Sequence, residues 1–269
     1  MNMSKRLEEA RKAYDEKNPE ASKKAHDEKV IEMAVEQHGS ESSQFIGNMV
    51  YGGLDGIISI FAVVSGVAGA NLTSGVLLIL GVANLLGDGI SMGIGAYLSM
   101  KSEKEYYRKE LERESWEAEH YPEGEKAELL AIYKNKGFPK EDAEKLVEIQ
   151  SRDHGRWVDA MMINELGMIK DERKPFSAAL MTFGSFVLFG LLPLLIYMVD
   201  TIFHTNLSMS TMFLISIILS GVSLFGLGAA KYFITRRNPL VSGLEMLIVG
   251  GLAASVAYFI GVLLKPLGG

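Results

Sequence analysis

Acidic residues recur at helical spacing in one charged stretch of the sequence. Glu110, Glu114 and Glu117 follow one another at i, i+4 and i+7, and Glu125 and Glu128 are three residues apart. Each set therefore lies on one face of a helix, where like charges repel by about 0.2–0.5 kcal/mol per pair. A divalent cation among the carboxylates would remove this repulsion. A solvated face with Lys partners is the commoner meaning of a Glu-rich helix, so the spacing alone is consistent with a metal site.

A thioether accompanies a carboxylate further along the same stretch. Met161 and Glu165 lie at i and i+4, and a soft ligand beside a hard one suits Fe²⁺ better than Mg²⁺ or Ca²⁺, which prefer oxygen alone. Met residues on a helix are more often core. One Glu-x-x-His motif joins Glu117 to His120, whereas a di-iron helical bundle needs two. A membrane-bound di-iron oxidase is thereby weakened as an alternative but stays open.

Two carboxylates stand in otherwise apolar sequence. Asp55 follows Gly52-Gly53-Leu54 and Asp88 lies between two glycines. At mid-bilayer each would cost about 2.5–3.5 kcal/mol without a partner, ion or water, so a functional role is the default interpretation. At the helical rise both lie about 20–22 Å from the outer ends of their spans, which makes them level. Asn84, Asp88 and Met92 follow at i, i+4 and i+8 and could line a path toward the charged stretch.

The elements that must position these residues follow from the segregation of charge. The 269-residue chain is 48% hydrophobic and 22% charged, yet residues 45–98 contain only Asp55 and Asp88 as charged residues, and 176–264 are nearly free of charge. A bilayer core needs about 20 apolar residues per helix. The sequence predicts an all-α integral membrane protein with five transmembrane helices. They are placed near 46–70, 75–98, 176–199, 209–230 and 240–264.

The domains follow the same blocks. Residues 1–44 form a charged N-terminal segment with a surface helix, 45–98 the first two spans, 99–175 a three-helix insert and 176–269 the last three spans. In the insert, the second span is predicted to continue to Tyr121. Pro122–Gly124 break it, a short helix covers 125–136, and Pro139 begins a third helix that runs to about Lys170. Gly89 and Gly93 form a small-xxx-small pair suited to dimerisation or tight bundling.

The distribution of Lys and Arg among the loops predicts how the protein is oriented in the membrane. Residues 231–239, with Lys231, Arg236 and Arg237, are expected inside, whereas the uncharged loop 71–74 and the acidic loop 200–208 are expected outside. Alternation then places the N-terminus and the insert in the cytoplasm and the C-terminus outside. No signal peptide is expected before the first span.

Composition excludes several classes of function. Without Cys there is no disulfide framework or thiolate site, and a net charge of −6 argues against nucleic acid as a partner. The sequence has no phosphate-binding Gly-x-x-x-x-Gly-Lys-Ser/Thr motif, which argues against drive by ATP. Divalent metal ions, protons and membrane lipid are the expected partners, and no enzymatic activity or resident cofactor is expected.

Several ordered motifs resemble the vacuolar iron transporter family, which includes the yeast calcium-cross-complementer-like proteins. The resemblance covers roughly residues 45–264. It rests on Asp55-Gly56, on Ile90-Ser91-Met92-Gly93 followed by Gly95 and Tyr97-Leu98, on Lys101-Ser102-Glu103, and on Trp157-Val158-Asp159 with Met161-Met162 and Glu165-Leu166-Gly167.

The resemblance implies a homodimer of five-span protomers that exports cytosolic Fe²⁺, and often Mn²⁺ or related ions, in exchange for protons. It places Asp55 and Met92 on the translocation path. It also implies a cytosolic metal-binding domain with Glu and Met ligands. In this chain the matching positions are Glu114, Glu117, Glu125, Glu128, Met161, Met162 and Glu165. A prokaryotic plasma membrane fits the family's simpler members, and a vacuolar membrane the eukaryotic ones.

The chain departs from the family at one position in the second span. Asn84 stands where plant members have Glu, and a neutral amide cannot exchange a proton. Asp88, one turn nearer the cytoplasm, is predicted to take that role together with Asp55. A channel-like or metal-sensing membrane protein without proton coupling is the other alternative that the residues leave open.

Overall fold

The computed structural model describes residues 9–10, 12–25, 46–232 and 238–267. Within these ranges the chain forms helices and turns and no β-strand. The helices, in chain order, are α1 Pro19–Ala25, α2 Ile46–Ala70, α3 Ser74–His120, α4 Pro122–Asn135, α5 Lys140–Ser151, α6 His154–Asn164, α7 Pro175–Phe203, α8 Met209–Ala230 and α9 Pro239–Leu264, followed by a 3₁₀ turn at Lys265–Leu267.

Five of these helices are long and apolar enough to cross a membrane, which confirms the predicted all-α fold with five spans. They are α2, the first part of α3, α7, α8 and α9. Short polar side chains begin several of them. Thr73 accepts from the Val76 amide and Ser208 from the Thr211 amide, and Pro175 and Pro239 occupy first turns, where a missing N–H costs nothing.

Two predictions fall partly or wholly outside the described residues. The N-terminal surface helix is described only over 9–10 and 12–25, where α1 lies. Arg236 and Arg237, which the predicted orientation uses, lie outside the described residues altogether.

Helix α2 lies at the centre of the membrane bundle, where it packs against α3, α7, α8 and α9. Helix α7 also packs against α3 and α8, and α8 packs against α9. The core between them contains aliphatic and aromatic side chains that are nearly or fully buried. Ile60, Leu85, Phe186, Leu194 and Tyr197 are among them. Asn48 of α2 donates a hydrogen bond to the Thr182 hydroxyl of α7 at 3.2 Å, which adds a polar link between α2 and α7.

Glycines permit the closest approach of these helices. A Cβ on Gly56, the residue after Asp55, would overlap the backbone carbonyl of Phe186. A Cβ on Gly89 would lie 3.2 Å from the Phe186 ring and 3.3 Å from the Phe183 ring, and a Cβ on Gly93 would lie 3.2 Å from the Phe183 Cβ. The small-xxx-small pair of α3 therefore serves tight packing against α7 within one protomer.

Helix α3 continues without interruption from the membrane into the insert, over 47 residues. The predicted break at Pro122–Gly124 is wrong in position, because Tyr121 alone separates α3 from α4 and Pro122 is the first residue of α4. The predicted single helix from Pro139 to Lys170 is also wrong. It is divided into α5 and α6 because Asp153 adopts extended backbone and its side chain accepts the Arg156 amide as an N-cap.

The end of α6 also differs from the prediction. The helix stops at Asn164, and residues 165–174 are not helical. Gly167 has φ +65°, in the left-handed region that glycine adopts without strain. Glu165 therefore lies just beyond α6 instead of within it, and it can turn toward α3 and α4.

The insert has its own hydrophobic core. Side chains from α3, α4, α5 and α6 meet there, and the members include Leu129, Tyr133, Val147 and Trp157. Tyr133 also donates a hydrogen bond to Gln150 Oε1 at 2.5 Å and so joins α4 to α5. This core fixes the relative positions of the helices that carry the acidic residues.

The contact between α2 and α7 predicts that Gly56→Ala is destabilising. The added methyl group must displace the Phe186 backbone, and overpacking of this kind costs about 1–3 kcal/mol. Thermal unfolding of the detergent-solubilised protein should show a lowered Tm. Gly184→Ala is the control, since nothing lies within 4 Å of a Cβ there. A Tm for Gly56→Ala that equals that of Gly184→Ala would contradict the close packing.

Candidate metal centre

Carboxylates from three separate segments converge in the insert. Glu114 lies on α3, Glu125 in the first turn of α4 and Glu165 directly after α6. One oxygen of each carboxylate lies within 4.8 Å of the other two. The turn at Tyr121 brings the start of α4 back beside α3, and the early end of α6 adds the third carboxylate. Oxygen ligands at this separation are suited to a divalent cation.

Two of these carboxylates are almost inaccessible to solvent. Glu114 is 1% exposed and Glu125 is 6% exposed, whereas Glu165 is exposed. The Oε2 atoms of Glu114 and Glu125 are buried and have no hydrogen-bond partner among the described residues. A buried polar atom without a partner is costly. Both atoms are therefore available to a cation that enters the cluster.

Burial and mutual repulsion raise the pKa values of all three groups. The pKa of Glu114 rises to about 7, first through burial and then through the charge of Glu165. The pKa of Glu125 also rises to about 7, through burial and then through Glu114. Burial, followed by the charge of Glu128, raises the pKa of Glu165. Near neutral pH, protons therefore occupy part of this cluster.

A guanidinium group supplies positive charge at the same place. Arg113 Nη2 donates to Glu114 Oε1 at 2.5 Å and its Nε donates to Glu110 Oε2 at 2.9 Å. Its Nη1 donates to Glu117. These ion pairs oppose the rise in the pKa of Glu114. The cluster thus has two sides. On the neutralised side, carboxylate oxygens face Arg113. The open side contains the unpartnered Oε2 atoms of Glu114 and Glu125.

The other acidic residues predicted as ligands surround this centre. Glu117 is half-buried and Glu128 is exposed, and the charges of both act on Glu114 and Glu125. The structure therefore gathers all five predicted carboxylates in one region and places three of them in closest approach.

The predicted sulfur ligands have a different environment. Met161 and Met162 are 0% exposed and belong to the hydrophobic core of the insert. His120, the end of the Glu-x-x-His motif, is exposed and stacks on Trp116 of its own helix, with 4.4 Å between ring centroids. Its Nδ1 lies 2.9 Å from the Trp116 carbonyl oxygen. This engagement with its own helix gives no support to a di-iron motif.

The membrane carboxylates also lie near each other. Asp55 on α2 and Asp88 on α3 are half-buried and are close enough for their charges to interact. Asn84 and Met92 are half-buried one turn to either side of Asp88, and Met92 packs against the membrane core. That the two carboxylates lie level in a bilayer and act together stays a prediction.

Sequence reasoning missed Arg113. Its signal was its position, because Arg113 lies three residues after Glu110, directly before Glu114 and four residues before Glu117. Residues three and four apart share a helix face. A lone basic residue at the centre of an acidic face can be found from sequence in this way.

The fold and the acidic cluster define a class: an integral membrane protein with five apolar helices and a polar insert that carries a potential metal site. The model of the VIT family matches residues 46–262. The chain belongs to the VIT family.

Curated relatives agree with this membership. The chain is 40% identical over 234 residues to a vacuolar iron transporter of Toxoplasma gondii, which covers 86% of this chain and 78% of the relative. It is 36% identical over 261 residues to that of Plasmodium berghei, with 96% of each chain covered. It is 32% identical over 218 residues to vacuolar iron transporter 1 of Arabidopsis thaliana, with 81% and 85% covered.

The raised pKa values predict how the stability of the metal-free insert depends on pH. In the unfolded chain a Glu titrates near 4.5, and in the fold Glu114 and Glu125 titrate near 7. The folded state therefore binds more protons between these values, and its stability falls as pH rises from about 4.5 through 7. Urea unfolding followed by Trp fluorescence measures this, because the chain's two Trp residues, Trp116 and Trp157, both lie in the insert.

The control separates these two groups from the many surface carboxylates. Glu114→Gln combined with Glu125→Gln should flatten the decline of the urea midpoint over this range. Glu141→Gln, at an exposed position early in α5, should leave it as in the wild type. A midpoint that rises with pH in the wild type would contradict the raised pKa values.

Proposed function

We propose that this protein is a secondary transporter that exports cytosolic Fe²⁺ in exchange for protons and also accepts Mn²⁺. One observation carries the proposal: a single helix, α3, bears both a carboxylate of the metal centre, Glu114, and a carboxylate within a membrane span, Asp88. The names of the curated relatives, vacuolar iron transporters, support the choice of ion.

The insert is proposed to capture the ion. Buried Oε2 atoms of Glu114 and Glu125 and the exposed carboxylate of Glu165 offer oxygen ligands, and Glu117 and Glu128 are the further proposed carboxylate ligands nearby. Such a concentration of negative charge attracts cations and raises their local concentration. Met161 and Met162 are the proposed sulfur ligands, and their burial beside this region requires a small rearrangement of the core before either sulfur can bind.

The membrane spans are proposed to move the ion. Met92, on the part of α3 nearer the insert, passes it to Asp55 and Asp88. These carboxylates bind either the metal or protons, because the metal ion and the protons compete for the same negatively charged oxygens. Protons that enter from the opposite side would then release the ion outward. The Asn84 amide cannot gain or lose a proton near neutral pH. The proton exchange is therefore proposed for the Asp55 and Asp88 pair.

The proposed orientation places the N-terminus and the insert in the cytoplasm and the C-terminus outside. It is supported by Lys101 and Lys104 at the end of the α3 span and by Lys231 at the end of α8, since basic residues flank the cytoplasmic ends of spans. A prokaryotic plasma membrane is the proposed location, whereas the curated relatives are named vacuolar.

A homodimer is proposed as the working unit. The face of α3 that includes Ile79, Leu86, Ile90 and Ile94 is apolar and exposed within one protomer. Either lipid or a second copy can cover it. Light scattering on the detergent-purified protein should give a protein mass twice the 29.5 kDa of one chain. A monomer mass at every protein concentration would contradict the dimer.

The decisive variant for transport is Asp88→Asn. In proteoliposomes loaded with a pH-sensitive dye, wild-type protein should couple Fe²⁺ uptake to proton movement in the opposite direction. Asp88→Asn keeps the shape of the side chain but cannot exchange a proton, so pH-driven uptake should fall at least about tenfold, as for a lost functional interaction of about 1.4 kcal/mol. Asp55→Asn should behave alike.

The matched control is Glu245→Gln, which removes a carboxylate from another membrane helix, α9, at an exposed position that lines a surface pocket with Lys231. It should transport as the wild type does. Wild-type coupling in Asp88→Asn would refute the assignment of the proton to that residue. Fe²⁺ flux without proton movement in the wild type would identify a channel-like protein, and oxygen consumption with Fe²⁺ but no flux would identify an oxidase.

A further inference from the structure

Arg113 occupies the neutralised side of the metal centre. Its guanidinium contacts three carboxylates at once, with Glu110 and Glu114 at 2.9 and 2.5 Å and Glu117 in addition. Two of these, Glu114 and Glu117, are proposed metal ligands, whereas Glu110 is not. A guanidinium group matches paired carboxylates in geometry as well as in charge. The metal centre thus contains a cation of its own.

The burial of the partners shows which contact costs most to lose. The Glu114 side chain is 0% exposed and that of Glu117 is 31% exposed, while Arg113 is 40% exposed. Arg113 can therefore swing toward water, but Glu114 cannot. Its departure would leave Glu114 with two unpartnered buried oxygens, Oε1 in addition to Oε2, unless another cation arrived.

Glu110 gives Arg113 a second position. The Nε contact with Glu110 is independent of the Nη atoms that bind Glu114 and Glu117. The guanidinium can keep this contact, one turn closer to the membrane along α3, while its Nη atoms leave the ligands. Movement of Arg113 would then break its ion pairs with Glu114 and Glu117 and keep the one with Glu110, which lies on the same helix face.

We propose that Arg113 is an internal competitor for the metal, which holds Glu114 and Glu117 when no ion is bound there and keeps only its contact with Glu110 when Fe²⁺ binds. This inference rests on the proposed function and adds to it a residue that sets metal affinity. A metal that binds Glu114 through both oxygens, or that also binds Glu117, needs the oxygens that Arg113 holds. The competition weakens binding and speeds release, which suits a centre that passes its ion on.

Arg113→Gln is the first test. The amide carries no charge and cannot hold two carboxylates, so Fe²⁺ should bind at least about tenfold more tightly, equivalent to about 1.4 kcal/mol. Binding is measured by anaerobic equilibrium dialysis of Fe²⁺ with the full-length protein in detergent. All variants carry Asp55→Asn, so that the titration reports mainly on the insert.

A second variant separates direct occupancy from a general change of charge. Arg113→Gln combined with Glu110→Gln has the same net charge as the parent, because one positive and one negative group are lost. If Arg113 competes directly for the ligands, the double variant still binds Fe²⁺ more tightly than the parent. If only the overall field matters, its affinity returns to the parent value, and that result would overturn the proposal.

A distant ion pair of the same type provides the control. Arg152 donates to Glu148 Oε1 at 2.7 Å on α5, at i and i+4, with both side chains exposed. Arg152→Gln should leave Fe²⁺ affinity unchanged. An increase as large as that of Arg113→Gln would show that any lost positive charge suffices and would also overturn the proposal.

Arg113→Lys keeps the test open if Arg113→Gln does not fold. The ammonium group retains the charge but cannot form the forked contact with two carboxylates, so the Fe²⁺ affinity should lie between those of the parent and Arg113→Gln. The inference is refuted if Arg113→Lys binds Fe²⁺ no more tightly than the parent and the charge-matched double variant binds it as the parent does.

The same titration distinguishes this inference from the proposed function. If the parent protein binds no Fe²⁺ in the insert, the capture step of the proposed function is wrong. If the parent binds Fe²⁺ and none of the Arg113 variants binds it more tightly, the capture step stands and only the role of Arg113 is wrong. In proteoliposomes without Asp55→Asn, Arg113→Gln should lower the KM for Fe²⁺ and also lower kcat, because tighter binding slows release.

Discussion

The burial of carboxylates that repel one another is the constraint on which the insert depends. Glu114 and Glu125 are withdrawn from water, face each other and Glu165, and have oxygens without partners among the described residues. Among the described residues, only Arg113 and bound protons offset the repulsion within the cluster. The hydrophobic core formed by α3, α4, α5 and α6 must supply the rest. The acidic centre is thus a strained feature held in place by ordinary packing around it.

Helix α3 transmits this constraint to the membrane. Asp88 and Glu114 are 26 positions apart on one uninterrupted helix, a distance of about 39 Å at the helical rise. The helix is anchored at its membrane end by the close contact of Gly89 and Gly93 with Phe183, and at its other end by the insert core. The separation of the two groups of carboxylates is therefore fixed, and an ion that uses both must travel along the helix. Met92 lies between Asp88 and Glu114 on this helix, four residues from Asp88.

Much of the fold could be predicted because membrane length and charge segregation act locally. Each of the five apolar helices begins and ends within about four residues of its prediction, since Thr73, Ser208 and Pro175 provide local signals. The division of the third insert helix was missed, because an Asp within a helical pattern acts as an N-cap only when its backbone becomes extended, as Asp153 does. Helical spacing also identified Glu114 and Glu125 separately. Their approach across the turn at Tyr121, and the addition of Glu165 from beyond α6, depend on tertiary packing that no spacing reveals.

A centre that gives up its ion must remain folded while it is empty. A resident structural metal removes this requirement, because its loss and unfolding can occur together. Here the empty state has its own sources of neutralisation, namely protons on Glu114 and Glu125 near pH 7 and the guanidinium of Arg113. Arg113 does not contact the buried Oε2 atoms of Glu114 and Glu125, which have no partner among the described residues, so a divalent cation can still bind them. The empty state is thus stable enough to persist but not to exclude the metal, and this balance favours a centre that exchanges its ion over one that retains it.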